Sequence, residues 1–330
     1  MPALPDTWRA LSRTLLGDPE FTGPQVAQQA GVDIERARRL WTALGFSPVP
    51  DDQRVFTRSD VAILAGVCRL LGEIGGAEDV LLQLTRVTGQ ALARVADAHV
   101  AATANRLQGS STATTPDQLM TTLVTALQPL LPTIEPFLSY VWRRHVMAAV
   151  FRAAAGSADA TRAGVLAVGF ADLVGFTAVS QQLDEAELAA MVDRFEALAY
   201  EQITRHGGRV VKMIGDEVMF SADVPAVAAQ IALALVAAYA GDAALPEVRV
   251  GLALGPALSF EGDLFGPTVN LASRLVNIAR PGTVLISDEL AEQLQGLPAF
   301  VLRSLRPLRL KGIGRAHVWV LRATSHPATV

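Results

Sequence analysis

The sequence predicts an α+β protein in two parts: an all-α first half, then a second half in which strands and helices alternate. Three observations lead there. As far as Ala155 the apolar residues recur at helical spacing, with turn residues between the runs. From Val165 onward, short apolar runs of strand length alternate with helical stretches. The chain has 330 residues, enough for two domains that each bury a core.

Composition narrows the class. Hydrophobic residues make up 51% of the chain, which suits packed domains and argues against disorder. A formal net charge of −4 provides no overall field for nucleic acid, so a nucleic-acid partner is not expected. The single cysteine, Cys68, lies in an apolar stretch and reads as a small buried hydrophobe. One cysteine makes no internal disulfide, and a reducing, cytoplasmic setting is the expectation. The opening MPALPDTWRALSRTLLG lacks the basic-then-apolar order of a signal peptide. No run reaches the roughly 18 apolar residues that a membrane span requires, so none is expected.

In the first half, FTGPQVAQQAGVDIERARRLWTALGF predicts two short helices. Thr22 caps the first, Pro24 fits its first turn, Gly31 makes the turn, and the second begins near Asp33. The outline resembles a helix-turn-helix, in which Arg36, Arg38 and Arg39 would contact DNA; a small packed helical unit with solvated arginines has the same outline. Two more helices are expected over about residues 58–101, broken around Gly72 to Gly76. The segment Gln108 to Gln118 reads as a Ser/Thr/Gly-rich loop. Pro129, Pro132 and Pro136 interrupt the next pattern, which resumes from about Pro136 to Ala155. Gly156-Ser157 reads as a linker, and the domains are placed at 1–158 and 159–330.

In the second half, Val165 opens a buried strand and a helix covers about residues 184–206. RVVKMIGDEVMF reads as a hairpin turning at Gly215-Asp216. A buried helix, the strand EVRVGLALG, a helix opened by Gly266-Pro267, the strand TVLIS and two final strands follow. Helices on one face of a mixed sheet make a sandwich of ferredoxin-like type.

Two carboxylates carry potential chemistry. Asp172 ends an apolar strand and Asp216 sits at a hairpin turn. Strand ends and hairpin tips converge without being close in sequence, and two carboxylates at one point suit hard divalent cations. Each Asp could equally cap a turn. Gly175, Phe176 and Thr177 run from a strand into a helix start, where backbone N–H groups are free for phosphate oxygens. Asn270 and Arg274 are four residues apart on one helix face, with Asp263 in the loop just upstream.

The segments FADLVGFT, VVKMIGDEVMF and DLFGPTVNLASRL together resemble the three catalytic motifs of class III adenylate cyclases, over about residues 160–323. The resemblance implies that Asp172 and Asp216 bind two metal ions, Mg²⁺ or Mn²⁺, at each active site. It implies that Lys212 and Asp263 read the adenine of ATP, that Asn270 orients the ribose and that Arg274 stabilises the transition state. Lys311, in LRLKGIG, matches the lysine that contacts the terminal phosphates. Family members build the pocket between two protomers, so one chain carrying both sets implies a homodimer.

The first half is similar to the regulatory domain of the pH-responsive mycobacterial-type soluble cyclases. This implies an autoinhibitory domain with a linker helix, with a proton or a fatty acid as regulator. His145 and His317 are then the candidate sensors. Two other readings stand beside this one: a diguanylate cyclase-like enzyme, from the likeness of IGDE to a GGDEF hairpin, and a DNA-binding signalling regulator with a vestigial cyclase domain.

Overall fold

The structure, a computed structural model, describes residues 6–74, 78–107, 115–158 and 164–324. The chain divides into two compact units, Met1–Phe151 and Arg152–Val330. Among the described residues, no helix is long and apolar enough to cross a membrane.

The first unit is helical. It contains α1 (Asp6–Leu15), α2 (Gly23–Ala30), α3 (Ile34–Ala43), α4 (Arg58–Ile74), α5 (Glu78–Leu107) and α6 (Pro116–Leu127). The long α7 (Leu131–Ala158) begins in it. Local chemistry sets the boundaries of α2 and α3. Thr22 accepts from the Gln25 N–H while the Gln25 side chain accepts from the Thr22 N–H, a reciprocal cap for α2. Gly31, at φ 69°, ends α2, and Asp33 caps α3. Val26, Ala27, Ala37, Leu40 and Leu64 form the core, with Trp41 stacked on Phe56 at 4.8 Å. Arg38 is engaged by Asp51 and Glu35, and Arg39 by Glu78, so acids hold two of the three arginines of the helix-turn-helix outline.

The prolines interrupt this half less than their spacing suggests. Pro129 lies in a 3-10 turn over Gln128–Leu130, and α7 runs from Leu131 with Pro136 inside it. Pro132 falls in the first turn, where a missing N–H costs nothing. Gly156-Ser157 continue α7 instead of forming a linker, and 116–118 belong to α6 instead of a loop. The rest of the expected loop, 108–114, the break at 75–76 and the residues just past the domain boundary, 159–163, lie outside the described residues.

The second unit contains β1 (Val165–Leu173), α8 (Phe176–Ser180), α9 (Glu185–Arg205), β2 (Arg209–Ile214), β3 (Glu217–Ala222), α10 (Pro225–Ala240) and β4 (Val248–Pro256). There follow β5 (Leu258–Phe260), β6 (Asp263–Phe265), α11 (Pro267–Ile278), β7 (Val284–Ser287) and α12 (Asp288–Leu294). The described chain closes with β8 (Phe300–Ser304), β9 (Leu308–Leu310), β10 (Gly314–Ala316) and β11 (Val318–Ala323). The main sheet has the order β2-β3-β1-β4-β7-β11-β8. Its antiparallel portion β2-β3-β1-β4, with α9 and α10 as connections, is the ferredoxin-like core. The strand β7 then adds parallel to β4.

Strand alternation divides the apolar residues between the two faces. On one face, Ala167, Ala171, Phe220 and Leu252 pack against Phe195 and Ile203 of α9, Ile231 and Leu235 of α10 and Leu290 of α12. Each of the larger fully buried side chains contributes about 1.5–3 kcal/mol. On the other face, Val168, Phe170, Met219 and Ala253 meet Ala272 and Val276 of α11. Helices therefore cover both faces, where the sequence pattern suggested one. The close approach of α11 depends on Gly251, where an added Cβ would lie 2.2 Å from the Val276 nitrogen.

Candidate active site

The pairing register aligns three charged residues. Asp172 of β1 lies directly opposite Glu217 of β3 and Arg249 of β4. Directly opposed residues share a face, here the face that carries α11. Arg249 donates from Nη2 and Nε to Asp172 Oδ2 at 2.6 and 2.7 Å, and from Nη1 to the Asn277 carbonyl at 3.1 Å. The hairpin tip docks beside this row, because the Leu173 N–H donates to the Asp216 carbonyl at 3.0 Å. Gly215 turns the hairpin at φ 62°, a conformation glycine adopts without a steric penalty.

Burial and mutual repulsion raise the carboxyls. Burial lifts Asp172, Arg249 pulls it back, and Asp216 lifts it further. Glu217 is pushed up to about 7, first by burial and then by Asp172 and Asp216. The donor set is all oxygen, and its repulsion calls for cationic charge, which fits hard divalent cations. Among the described residues, no three of His, Cys, Asp and Glu converge to cage a metal.

Lys212, opposite Met219, lies on the same face. Its Nζ meets Asp263 Oδ2 at 2.5 Å, while Asp263 Oδ1 accepts from the Leu264 N–H. Asp263 is in the strand β6, in a hairpin with β5, and not in a loop as its position suggested. Arg209 also reaches this hairpin, donating to the Gly262 carbonyl at 2.7 Å.

Asn270, Arg274 and Lys311 line one cleft of about 630 Å³, with Thr268, Glu289 and Gly312. Thr268 ties the start of α11 to β4 by donating to the Pro256 carbonyl. Arg274 Nε donates to the Lys311 carbonyl at 3.3 Å. Neither Asp172 and Asp216 nor Lys212 and Asp263 line this cleft. Gly175 caps the short α8, whose first N–H groups, at Phe176 and Thr177, have no partner within the helix.

Residues 158–323 match the family described as the adenylate and guanylate cyclase catalytic domain. The chain belongs to that family. Residues 5–147 of the cyclase match the adenylate cyclase regulatory domain. It is 36% identical over 337 residues to an adenylate cyclase of Glutamicibacter nicotianae, covering 97% of this chain and 83% of that one. An adenylate cyclase of Streptomyces coelicolor is 40% identical over 276 residues, covering 83% of this chain and 71% of that one. A pH-sensitive adenylate cyclase of Mycobacterium tuberculosis is 33% identical over 315 residues, covering 92% and 78%.

Some expected partners are together in the cyclase and others are apart. The Asp216 charge is near enough to raise Asp172, Lys212 pairs with Asp263, and Asn270, Arg274 and Lys311 share a cleft. His145 on α7 and His317 just before β11 are exposed and lie in different units, and neither side chain makes a hydrogen bond among the described residues. Two residues of the carboxylate row, Arg249 and Glu217, were not singled out from sequence. The charged arginine within the apolar strand EVRVGLALG was the available signal for the first.

Proposed function

We propose that this cyclase converts ATP to cyclic AMP and pyrophosphate in a site completed by a second copy of the chain. The Lys212–Asp263 pair carries the choice of base: one donor and one acceptor held 2.5 Å apart. Lys212 can donate to a ring nitrogen of adenine while Asp263 accepts from its amine; guanine presents the opposite pattern. The names of the relatives from Glutamicibacter and Streptomyces point the same way.

Asp172 and Asp216 are the residues that would hold Mg²⁺ or Mn²⁺, two ions to a site, which when bound make the ribose 3′-hydroxyl more acidic and neutralise the triphosphate. Asn270 orients the ribose. Arg274 meets the charge that develops on the α-phosphoryl group, and Lys311 holds the outer phosphates, with the N–H groups of Gly175, Phe176 and Thr177 as further phosphate donors. Arg249 fixes the Asp172 carboxylate in place. One set of groups lines the cleft and the other does not, which supports pairing across a dimer. The exposed apolar β5–β6 hairpin, with Leu258, Phe260 and Phe265, also suits an interface.

Residues 1–158 are proposed as the regulatory domain and 159–330 as the catalytic one. Control by pH rests on the likeness to the M. tuberculosis relative, with His145 and His317 as the candidate groups. The test is cyclic nucleotide production by the purified chain with ATP or GTP, with divalent metal, from about pH 5.5 to 8. Cyclic AMP from ATP is expected, with cyclic GMP negligible; preference for GTP would overturn the reading. A pH profile unchanged in His145→Gln and His317→Gln would remove both histidines as sensors.

A further inference from the structure

Arg274 and Lys311 also line a second cavity of about 370 Å³, together with Arg309, Asn277, Ile278 and Leu310. Both residues belong to the 630 Å³ cleft as well, so the two spaces share cationic walls. The cleft also contains Glu289, whereas the second cavity has three cations and no carboxylate in its lining.

The hairpin beside it is more basic still. Arg309 of β9 lies directly opposite Arg315 of β10, on the face turned away from the core-packed Leu308 and Leu310. Both arginines are exposed. Like charges directly opposite weaken a strand pair, so this arrangement has a cost. Among the described residues, Arg274, Arg309, Lys311 and Arg315 have no carboxylate within ion-pair distance. Elsewhere in this unit Arg194, Arg205 and Arg249 have one, whereas Arg209, Arg280, Arg303, Arg306 and Arg322 among the described residues do not. From Gln293 to Thr324 the sequence contains six Lys and Arg residues and no acid.

We propose that this cavity and the Arg309–Arg315 pair form a pyrophosphate subsite, which takes the leaving group from the cleft across Arg274 and Lys311. The assignment rests on the reading that pyrophosphate is the product. The cavity's size and charge suit a small polyanion, and it has no aromatic side chain against which a base could stack. Arg309 and Arg315 then govern product release and product inhibition, while the cleft handles substrate.

The test is calorimetric titration of inorganic pyrophosphate into the full chain without nucleotide, for the wild type and for Arg309→Gln/Arg315→Gln. The double variant should bind about tenfold more weakly, the scale for losing a charge-assisted contact at a partly exposed site. Its KM for ATP should stay within about twofold of wild type, and its melting temperature should hold or rise as the like-charge repulsion goes. Arg309→Gln alone serves as the second variant should the double one fail to fold. No binding by the wild type, or equal affinity in wild type and variants, overturns the subsite. So does an equal loss for sulfate, which would mean a general anion patch. Binding needs no turnover, so the two readings fail separately. A chain that makes no cyclic AMP yet loses pyrophosphate in the variant refutes the cyclase reading alone. Cyclic AMP production with unchanged pyrophosphate binding refutes the subsite alone.

Discussion

Glu217 illustrates how burial and two neighbouring carboxylates act on a third carboxyl. Its pKa is pushed up to about 7 from an ordinary 4.5, so the native state holds a proton that the unfolded chain has released across that window. Stability is therefore present below pH 4.5 and is lost as pH rises toward 7. Asp172 is raised as well and acts in the same sense. In chelator, the wild type should melt at a higher temperature near pH 5 than near pH 8, and Glu217→Gln should narrow that gap. Equal wild-type melting at both values would show that the carboxyls are not coupled in this way. Arg249 is the protein's own counter-charge in this row, and removing it leaves Asp172 largely buried with no cation. Arg249→Met should cost about 1–3 kcal/mol in urea denaturation, the range for stranding a hydrogen-bonded group, reduced here because the guanidinium is partly exposed. A loss under about 0.5 kcal/mol, the level of an ordinary surface change, would mean that water replaces the guanidinium.

At the scale of elements, Gly251 decides whether α11 can lie flat on the sheet. An added Cβ would stand 2.2 Å from the Val276 nitrogen and 2.5 Å from the Ala272 carbonyl oxygen, both backbone atoms that cannot rotate away. Gly251→Ala should therefore lift α11, with a cost of about 1–3 kcal/mol for an overpacked contact, and should displace Asn270 and Arg274 with it. A variant with wild-type melting temperature and activity would show that the helix tolerates the shift. This contact also marks where sequence legibility ends. The Thr22 cap, the Gly31 turn and the helix start near Asp33 were legible because each is settled within a few residues. Periodicity identified α11 as a helix, but not the face of the sheet it covers, since that depends on which strands become neighbours. What Arg249 would pair with was illegible for the same reason. Its partner is 77 residues away, and only the pairing of β1 with β4 brings the two together. Asp263 looked like a loop residue because its hairpin turns at Glu261, a non-glycine residue at φ 54°, instead of the usual Asn-Gly or Asp-Gly signal.

At the scale of the whole molecule, the proposed chemistry depends on a division that one chain shows directly. The carboxylate row is built on β1, β3 and β4, whereas Asn270, Arg274 and Lys311 line a cleft from which Asp172 and Asp216 are absent. If each site takes its carboxylates from one protomer and its cleft residues from the other, a homodimer of Asp172→Ala has no complete site, and neither does one of Arg274→Ala. A mixed dimer behaves differently. One of its sites carries both lesions and the other carries none. Random exchange at equal concentrations makes half the dimers mixed, each with one intact site of two, so the mixture should recover roughly a quarter of wild-type activity. A monomeric enzyme, or a dimer with each site within one chain, would recover nothing. Cyclic AMP production by the two variants alone and after co-incubation separates these cases, and recovery should follow the rate of subunit exchange.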